Sequence, residues 1–197
     1  MTWPSRTSLL IWLAGIVTAG VCAGVGAMVV IEGGLFDATA SDPHSPIVAW
    51  AAHTAMVRSV QLRAASIAAP ARFTPAQVEA GLRDYDGACS SCHGAPGVAR
   101  AAFADGMTPS PPYILDAPRH WRSRELYWII GQGVKMTAMP SWAPSRTEAQ
   151  LWDLVAFLEA APDLSPGDYA RMRLPPSKAL RAPQPGHQAM PAAPVTP

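Results

Sequence analysis

The centre of the chain carries the stretch Gly87-Ala88-Cys89-Ser90-Ser91-Cys92-His93-Gly94. Two thiols three positions apart, followed at once by an imidazole, form a C-x-x-C-H motif. A helix is predicted before this motif, because apolar residues recur at intervals of four, three and four residues, a spacing that places them on one helical face: Val78, Leu82, Tyr85 and Cys89. The helix therefore delivers the first thiol on its apolar side.

This motif is the attachment signature of c-type haem. Thiols at this spacing reach the two vinyl groups on one edge of a porphyrin, and the adjacent imidazole then lies under the iron as the proximal ligand. The sequence therefore predicts one covalently attached haem c, held by Cys89 and Cys92 and ligated by His93.

Three other interpretations of the motif compete. A zinc site needs four ligands, usually with a second Cys or His pair, and the only other cysteine is Cys22, within an apolar run. A thioredoxin-like redox motif needs a βαβ setting, which the pattern does not predict. A chance occurrence of C-x-x-C-H in a loop is the third alternative.

The surrounding residues predict an all-α domain. Thr74 and Gln77 form a capping box around Pro75, and Thr147 and Gln150 form another. The second box precedes apolar residues at helical spacing, namely Leu151, Leu154, Val155 and Leu158. Between these helices, Ser123 is expected to cap a helix that Gly131 and Gly133 end. A long irregular loop is expected from Gly94 to Trp121, and no alternating strand pattern of useful length occurs.

A six-coordinate haem needs a second axial ligand. The candidates are Met107, Met136, Met139 and Met172, together with His44, His53, His120 and His187. The glycine-bearing loop 131–140 lies between two predicted helices, where it can fold over the far face of the haem. Met139 is favoured over Met136, because Pro140 stiffens the backbone beside it and a soft thioether suits iron in an apolar pocket.

Residues 74–161 resemble a class I c-type cytochrome domain. The resemblance rests on Tyr85 and three stretches, 87–97, 136–142 and 151–158. It implies a cytochrome c-like fold, thioether links from Cys89 and Cys92, a proximal His93 and a distal Met139 before proline. The N-terminal run and the helix around His53 resemble membrane-anchored bacterial monohaem members.

Two finer points follow from the resemblance. The family often has a proline carbonyl that accepts the proximal imidazole N–H. Pro112 is the expected acceptor, with Pro109 and Pro111 as alternatives. Ala138 departs from the family, which commonly has glycine before the methionine, and glycine tolerates backbone angles that alanine resists.

An uncharged run from Thr7 to Ile31 predicts a single transmembrane helix. A cleaved signal peptide is the alternative, although its apolar region is about 7–15 residues long. Arg6 precedes the run and acidic residues follow it, so the positive-inside rule places the later residues outside a bacterial cytoplasmic membrane, on the periplasmic side. The expected organisation is an anchor over 1–32, a linker with a helix over 33–71, a cytochrome c domain over 72–173 and a disordered proline-rich tail over 174–197.

Composition excludes some functions. Fifteen basic residues against fourteen acidic ones leave a net charge of +1, so a nucleic-acid partner is not expected. Only 15% of the residues are charged and the mean hydropathy is +0.11, which agrees with a segment in lipid. Three cysteines do not build a disulfide framework.

The expected function is therefore electron transfer by an electron carrier and not an enzyme, in a respiratory or other periplasmic chain. The expected partners are the membrane and a redox protein, such as a terminal oxidase, a quinol-oxidising complex, a dehydrogenase or a copper protein. Two alternatives remain open. One is a fixed cytochrome subunit of a larger respiratory enzyme, and the other is a haem-based gas or redox sensor in which Met139 is absent from iron or displaceable.

Overall fold

The computed structural model describes residues 5–173. Over this range the chain is helical and has no strands, which confirms the all-α prediction. The helices are α1 (Arg6–Glu32), α2 (Pro46–Arg63), α3 (Pro75–Ala88), α4 (Ser90–His93), α5 (Ala117–His120), α6 (Ser123–Gln132), α7 (Glu148–Ala160) and α8 (Pro166–Met172). The tail predicted to be disordered, 174–197, lies outside the described residues.

Helix α1 is apolar on all sides. Its 27 residues correspond to about 40 Å at the helical rise of ~1.5 Å per residue. None of its residues is buried, and its mean hydropathy is 2.2 over the most apolar window, so it qualifies as a membrane span by length and composition. The contacts of the described chain divide into two compact units between Asp42 and Pro43, and α1 belongs to the first.

The core of the second unit lies where α3 crosses α7. Leu82 and Tyr85 of α3 are buried, and the Tyr85 ring lies 4.9 Å from the ring of Phe157 in α7, centroid to centroid. The two backbones approach so closely that a Cβ built on Gly81 would lie 1.8 Å from the carbonyl oxygen of Asp153. Both predicted capping boxes, at Thr74 and Thr147, are present, and the four apolar residues predicted for α7 are all buried.

Helix α6 begins differently from the prediction. Arg122, and not Ser123, is its N-cap, and the Glu125 carboxylate accepts a hydrogen bond from the Arg122 backbone N–H at 2.9 Å. The chain enters the helix one residue early, which leaves the Ser123 hydroxyl free to donate to the Glu159 carboxylate of α7. Gly133 ends the helix with φ +68°, as predicted, whereas Gly131 lies inside it.

Three features add to the prediction or differ from it. Helix α2, predicted as a linker helix, belongs to the second unit. Val60 near its C-terminal end and the following Ala64 are fully buried, while Trp50 near its start is 67% exposed. The loop from Gly94 to Trp121 is not irregular throughout, because it contains the 3-10 turns Ala102–Gly106 and Ile114–Asp116 and the short helix α5. Helix α8 follows a third capping box, at Ser165.

Candidate functional site

The C-x-x-C-H motif forms one tight turn at the end of α3. The backbone N–H groups of Cys92 and His93 both donate to the carbonyl oxygen of Cys89, at 3.1 and 3.0 Å. Helix α4 then ends at Gly94, whose φ of +68° lies in the left-handed region that glycine adopts without a Cβ clash. The turn therefore brings two free, half-buried thiols and a half-buried imidazole together.

The Cys89 thiol lies in an environment that disfavours its anion. Burial raises the pKa of Cys89 to about 12, and the nearby Asp84 carboxylate adds to the rise. Redox-active C-x-x-C motifs lower the pKa of their nucleophilic cysteine instead, because the thiolate is the reactive form. This electrostatic setting argues against the thioredoxin-like alternative.

The imidazole of His93 is held by a hydrogen bond to a residue outside the motif. Its Nδ1–H donates to the carbonyl oxygen of Pro112 at 2.8 Å, which is the contact predicted for Pro112. The neighbouring Pro111 carbonyl accepts instead from the Arg100 guanidinium, also at 2.8 Å. A ring that carries its proton on Nδ1 has its lone pair on Nε2, so the tautomer suits ligation of a metal through Nε2.

The Met139 loop, residues 133–147 between α6 and α7, has a compact first part. The Val134 N–H donates to the Met139 carbonyl at 3.1 Å, and the Thr137 hydroxyl donates to the Val134 carbonyl at 2.7 Å while accepting from the Met139 N–H at 3.1 Å. A Cβ on Gly133 would lie 2.6 Å from the backbone of Pro140, so the two ends of the loop pack directly on each other. These bonds hold Met139 within a closed turn.

The two methionines of this loop differ in their surroundings. Met139 is half-buried, whereas Met136 is 84% exposed. Among residues 5–173, Met136 is also the one non-glycine residue with a positive φ, at 62°. Ala138 therefore has a negative φ. Although the family commonly has glycine at this position, the backbone here does not adopt a conformation that requires glycine.

The remaining ligand candidates differ in how far they are exposed. His44, His53 and His120 are exposed. Met172 packs against the hydrophobic core, Met107 is half-buried in the loop before Pro109, and His187 lies outside the described residues.

The residues present fit a c-type haem better than a protein-ligated metal ion. In the described part of the chain, no three His, Cys, Asp or Glu side chains are grouped to hold an ion, so the zinc alternative lacks ligands. Haem attachment needs only two thiols and one imidazole with a free Nε2, and the motif turn provides all three.

An ion pair that sequence reasoning missed adjoins this site. The Arg146 guanidinium donates to both carboxylate oxygens of Asp84, each at 2.6 Å, and stacks over the ring of Trp142, with its central carbon 4.1 Å from the ring centroid. Asp84 and Arg146 are 62 positions apart, and no short motif connects them.

One family model matches part of the chain. Residues 76–158 match the family model described as cytochrome C oxidase, cbb3-type, subunit III. The match spans less than half of the chain, runs from α3 into α7 and includes the C-x-x-C-H motif and Met139. The comparison with curated proteins gives no match.

The chain thus carries a c-type cytochrome domain. Such a domain implies covalently bound haem c and haem-based electron transfer.

Proposed function

We propose that the protein is a membrane-anchored electron carrier with one haem c, attached through Cys89 and Cys92 and ligated by His93 and Met139. The observation that carries this proposal is the hydrogen bond from His93 Nδ1 to the Pro112 carbonyl at 2.8 Å. It orients the imidazole and leaves Nε2 for iron, next to two free thiols that match the attachment spacing.

The protein's own residues set the properties of this site. When bound, the haem supplies a one-electron iron couple. The Pro112 carbonyl fixes the His93 ring and increases its basicity. The Met139 thioether is a soft, neutral ligand that raises the reduction potential. Because His93 and Met139 would both hold the haem iron, no position would be left for a substrate, so the expected activity is electron transfer alone.

Removing both motif thiols tests the proposal most directly. The variant Cys89→Ala/Cys92→Ala should lose all covalent haem, because no side chain remains to form a thioether. The measurement is haem-dependent peroxidase staining after denaturing electrophoresis, on protein produced with a complete c-type maturation system. Cys22→Ala, which removes the free cysteine of α1, is the matched control and should keep the full band. A band of wild-type intensity in the double variant would contradict the assignment.

The family match favours a second candidate function. The matched family is a subunit of a cbb3-type oxidase, so the second candidate function is that of a fixed cytochrome subunit within such an oxidase. For a free carrier, a terminal oxidase is likewise the partner that we propose first, as a transient electron acceptor. A quinol-oxidising complex, a dehydrogenase or a copper protein would exchange electrons with a free carrier. Purification in mild detergent separates the two cases, because a fixed subunit elutes with oxidase activity and a carrier elutes alone.

We further propose that α1 anchors the chain in the bacterial cytoplasmic membrane with the haem domain on the periplasmic side. Its length suits a bilayer core of about 30 Å. Arg6 lies at its start and Glu32 at its end, and no basic residue follows until Arg58, which agrees with a cytoplasmic N-terminus. The anchor would concentrate the haem domain near membrane-bound partners.

Fractionation tests the anchor. The full chain is expected in the membrane fraction, where it should resist alkaline carbonate and dissolve only in detergent. The variant Val17→Arg/Val21→Arg should appear in the soluble fraction or fail to accumulate, because each arginine near a helix centre costs about 2.5–3.5 kcal/mol on insertion scales. Wild-type protein released by carbonate, with an N-terminus beginning after residue 32, would show instead that the run is a cleaved signal peptide.

A further inference from the structure

We propose that the Asp84–Arg146 ion pair is a clamp that holds the Met139 loop on the attachment helix α3 and thereby sets how readily Met139 leaves the iron. This inference rests on the proposed function, because it assigns regulation of ligand strength at the same site. Asp84 lies on α3 five residues before Cys89, and Arg146 lies seven residues after Met139.

The other contacts of the loop tie it mainly to its own preceding helix. The Trp142 and Ala143 N–H groups donate to the carbonyls of Ile130 and Gly131 at 3.2 and 3.1 Å. The Ser141 hydroxyl also donates to the Gly131 carbonyl, at 2.6 Å. These bonds join the loop to α6 and leave its attachment to α3 to other groups. Arg146 provides a polar attachment, since it contacts Trp142 in the loop and Asp84 on α3, and Trp142 also packs against the core cluster.

The geometry of the pair makes it a strong contact. Two parallel N–H···O bonds of 2.6 Å give a bidentate, charge-assisted fork. The side chains of Arg146 and Asp84 are only 12% and 29% exposed, so water competes weakly for them. The guanidinium face over Trp142 adds a cation–π contact that lysine would not reproduce in the same form.

Replacing Arg146 by a neutral residue would weaken the contacts that hold the Met139 loop against α3. A neutral residue at 146 would leave the Asp84 carboxylate partly buried without its cation, which favours an opening that hydrates it. It would also remove the stacking partner of Trp142, three residues after Met139. Both effects favour movement of the loop away from α3, and hence exchange of Met139 for an external ligand.

The chain offers a matched control on the same helix. Asp86, two residues after Asp84, pairs with Arg173 at 3.2 Å, and Arg173 lies over the ring of Tyr169 at 5.8 Å. This second pair has the same chemistry, with carboxylate, guanidinium and aromatic ring. It ties α8 to α3 and does not involve the Met139 loop.

The test uses the full-length, haem-loaded protein in detergent. The affinity of imidazole for the ferric form is measured spectroscopically, at a temperature where every variant is folded, together with the ferric iron–methionine charge-transfer band. Arg146→Gln should bind imidazole about tenfold more tightly than the wild type, the factor expected for loss of a charged hydrogen bond. Arg146→Lys should fall between the two. The imidazole affinity of Arg173→Gln should stay within about twofold of the wild type, because Arg173 does not contact the Met139 loop and distant sites act independently.

A double-mutant cycle adds a second readout. Asp84→Asn should shift imidazole affinity in the same direction as Arg146→Gln, and the combined variant should shift it no further, because the two residues act as one unit. If Arg146→Gln left the imidazole affinity unchanged, or changed it no more than Arg173→Gln does, the clamp would be overturned. The assignment of the haem ligands would be unaffected. A wild-type protein without the charge-transfer band would overturn the Met139 assignment and the clamp with it.

Discussion

Replacing Gly81 by alanine is expected to destabilise the cytochrome domain more than any other single methyl addition in α3. The new Cβ would lie 1.8 Å from the Asp153 carbonyl oxygen and 3.0 Å from the Phe157 Cβ. Because the nearer atom belongs to backbone, no rotamer change relieves the clash, and α3 must separate from α7. The expected loss in the free energy of unfolding is about 3 kcal/mol, the upper end of the usual cost of overpacking and a large share of the 5–15 kcal/mol typical of a domain.

Denaturant unfolding of the haem-loaded protein measures this loss, and the same helix supplies the control. A Cβ on Gly87 meets no protein atom within 4 Å, so Gly87→Ala adds no clash between α3 and α7 and mainly tests helix propensity. It should stabilise the domain by up to about 1 kcal/mol, the usual difference between alanine and glycine in a helix. Equal unfolding midpoints for Gly81→Ala and the wild type would refute the close crossing of α3 and α7.

Replacing Met139 by alanine should produce the largest change in the properties of the haem. Loss of the thioether removes the ligand that favours the reduced iron, so the reduction potential should fall by about 0.1 V or more, within the roughly 0.8 V range that axial ligands control. The ferric charge-transfer band should disappear, and the ferrous form should bind carbon monoxide rapidly. Potentiometric titration and absorption spectra measure these changes.

Met136→Ala is the matched control for that experiment. It removes a thioether from the same loop, three positions away, at a side chain that is 84% exposed. Its potential and spectrum should match the wild type. If Met139→Ala kept the wild-type potential and spectrum, Met139 would lose its assigned role. If the wild type itself bound carbon monoxide rapidly, the gas-sensor alternative would replace the electron carrier.

The parts of the fold that sequence predicted well are those with local signals. The starts of α3 and α7 follow from Thr74 and Thr147, because a capping box involves residues only three positions apart. The start of α6 was predicted one residue late, since Glu125 caps it through the Arg122 backbone and Ser123 instead bonds to Glu159, 36 positions away. Helix α8 was overlooked although Ser165-Pro166-Gly167-Asp168 carries the same local signal as the others.

The candidate site divides in the same way. The two thiols and His93 lie within five consecutive residues, so the sequence alone predicted them as one unit. Their roles remain a prediction that the experiments above test. Pro112 was the predicted acceptor for His93, with Pro109 and Pro111 as alternatives, because loop geometry decides which carbonyl faces the ring; the structure has Pro112. The pairing of Asp84 with Arg146 depends on how α3 and the Met139 loop meet, and no residue pattern near either one indicates it.

The close crossing at Gly81 also bears on the order in which the domain is built. A ribosome delivers α3 well before α7, since more than sixty residues separate Gly81 from Asp153. During that interval Leu82 and Tyr85 have no partner helix, and the nascent chain presents an unpaired apolar surface beside the attachment thiols. If the motif binds haem as proposed, haem attachment and the packing of α7 would both act on this partly folded domain.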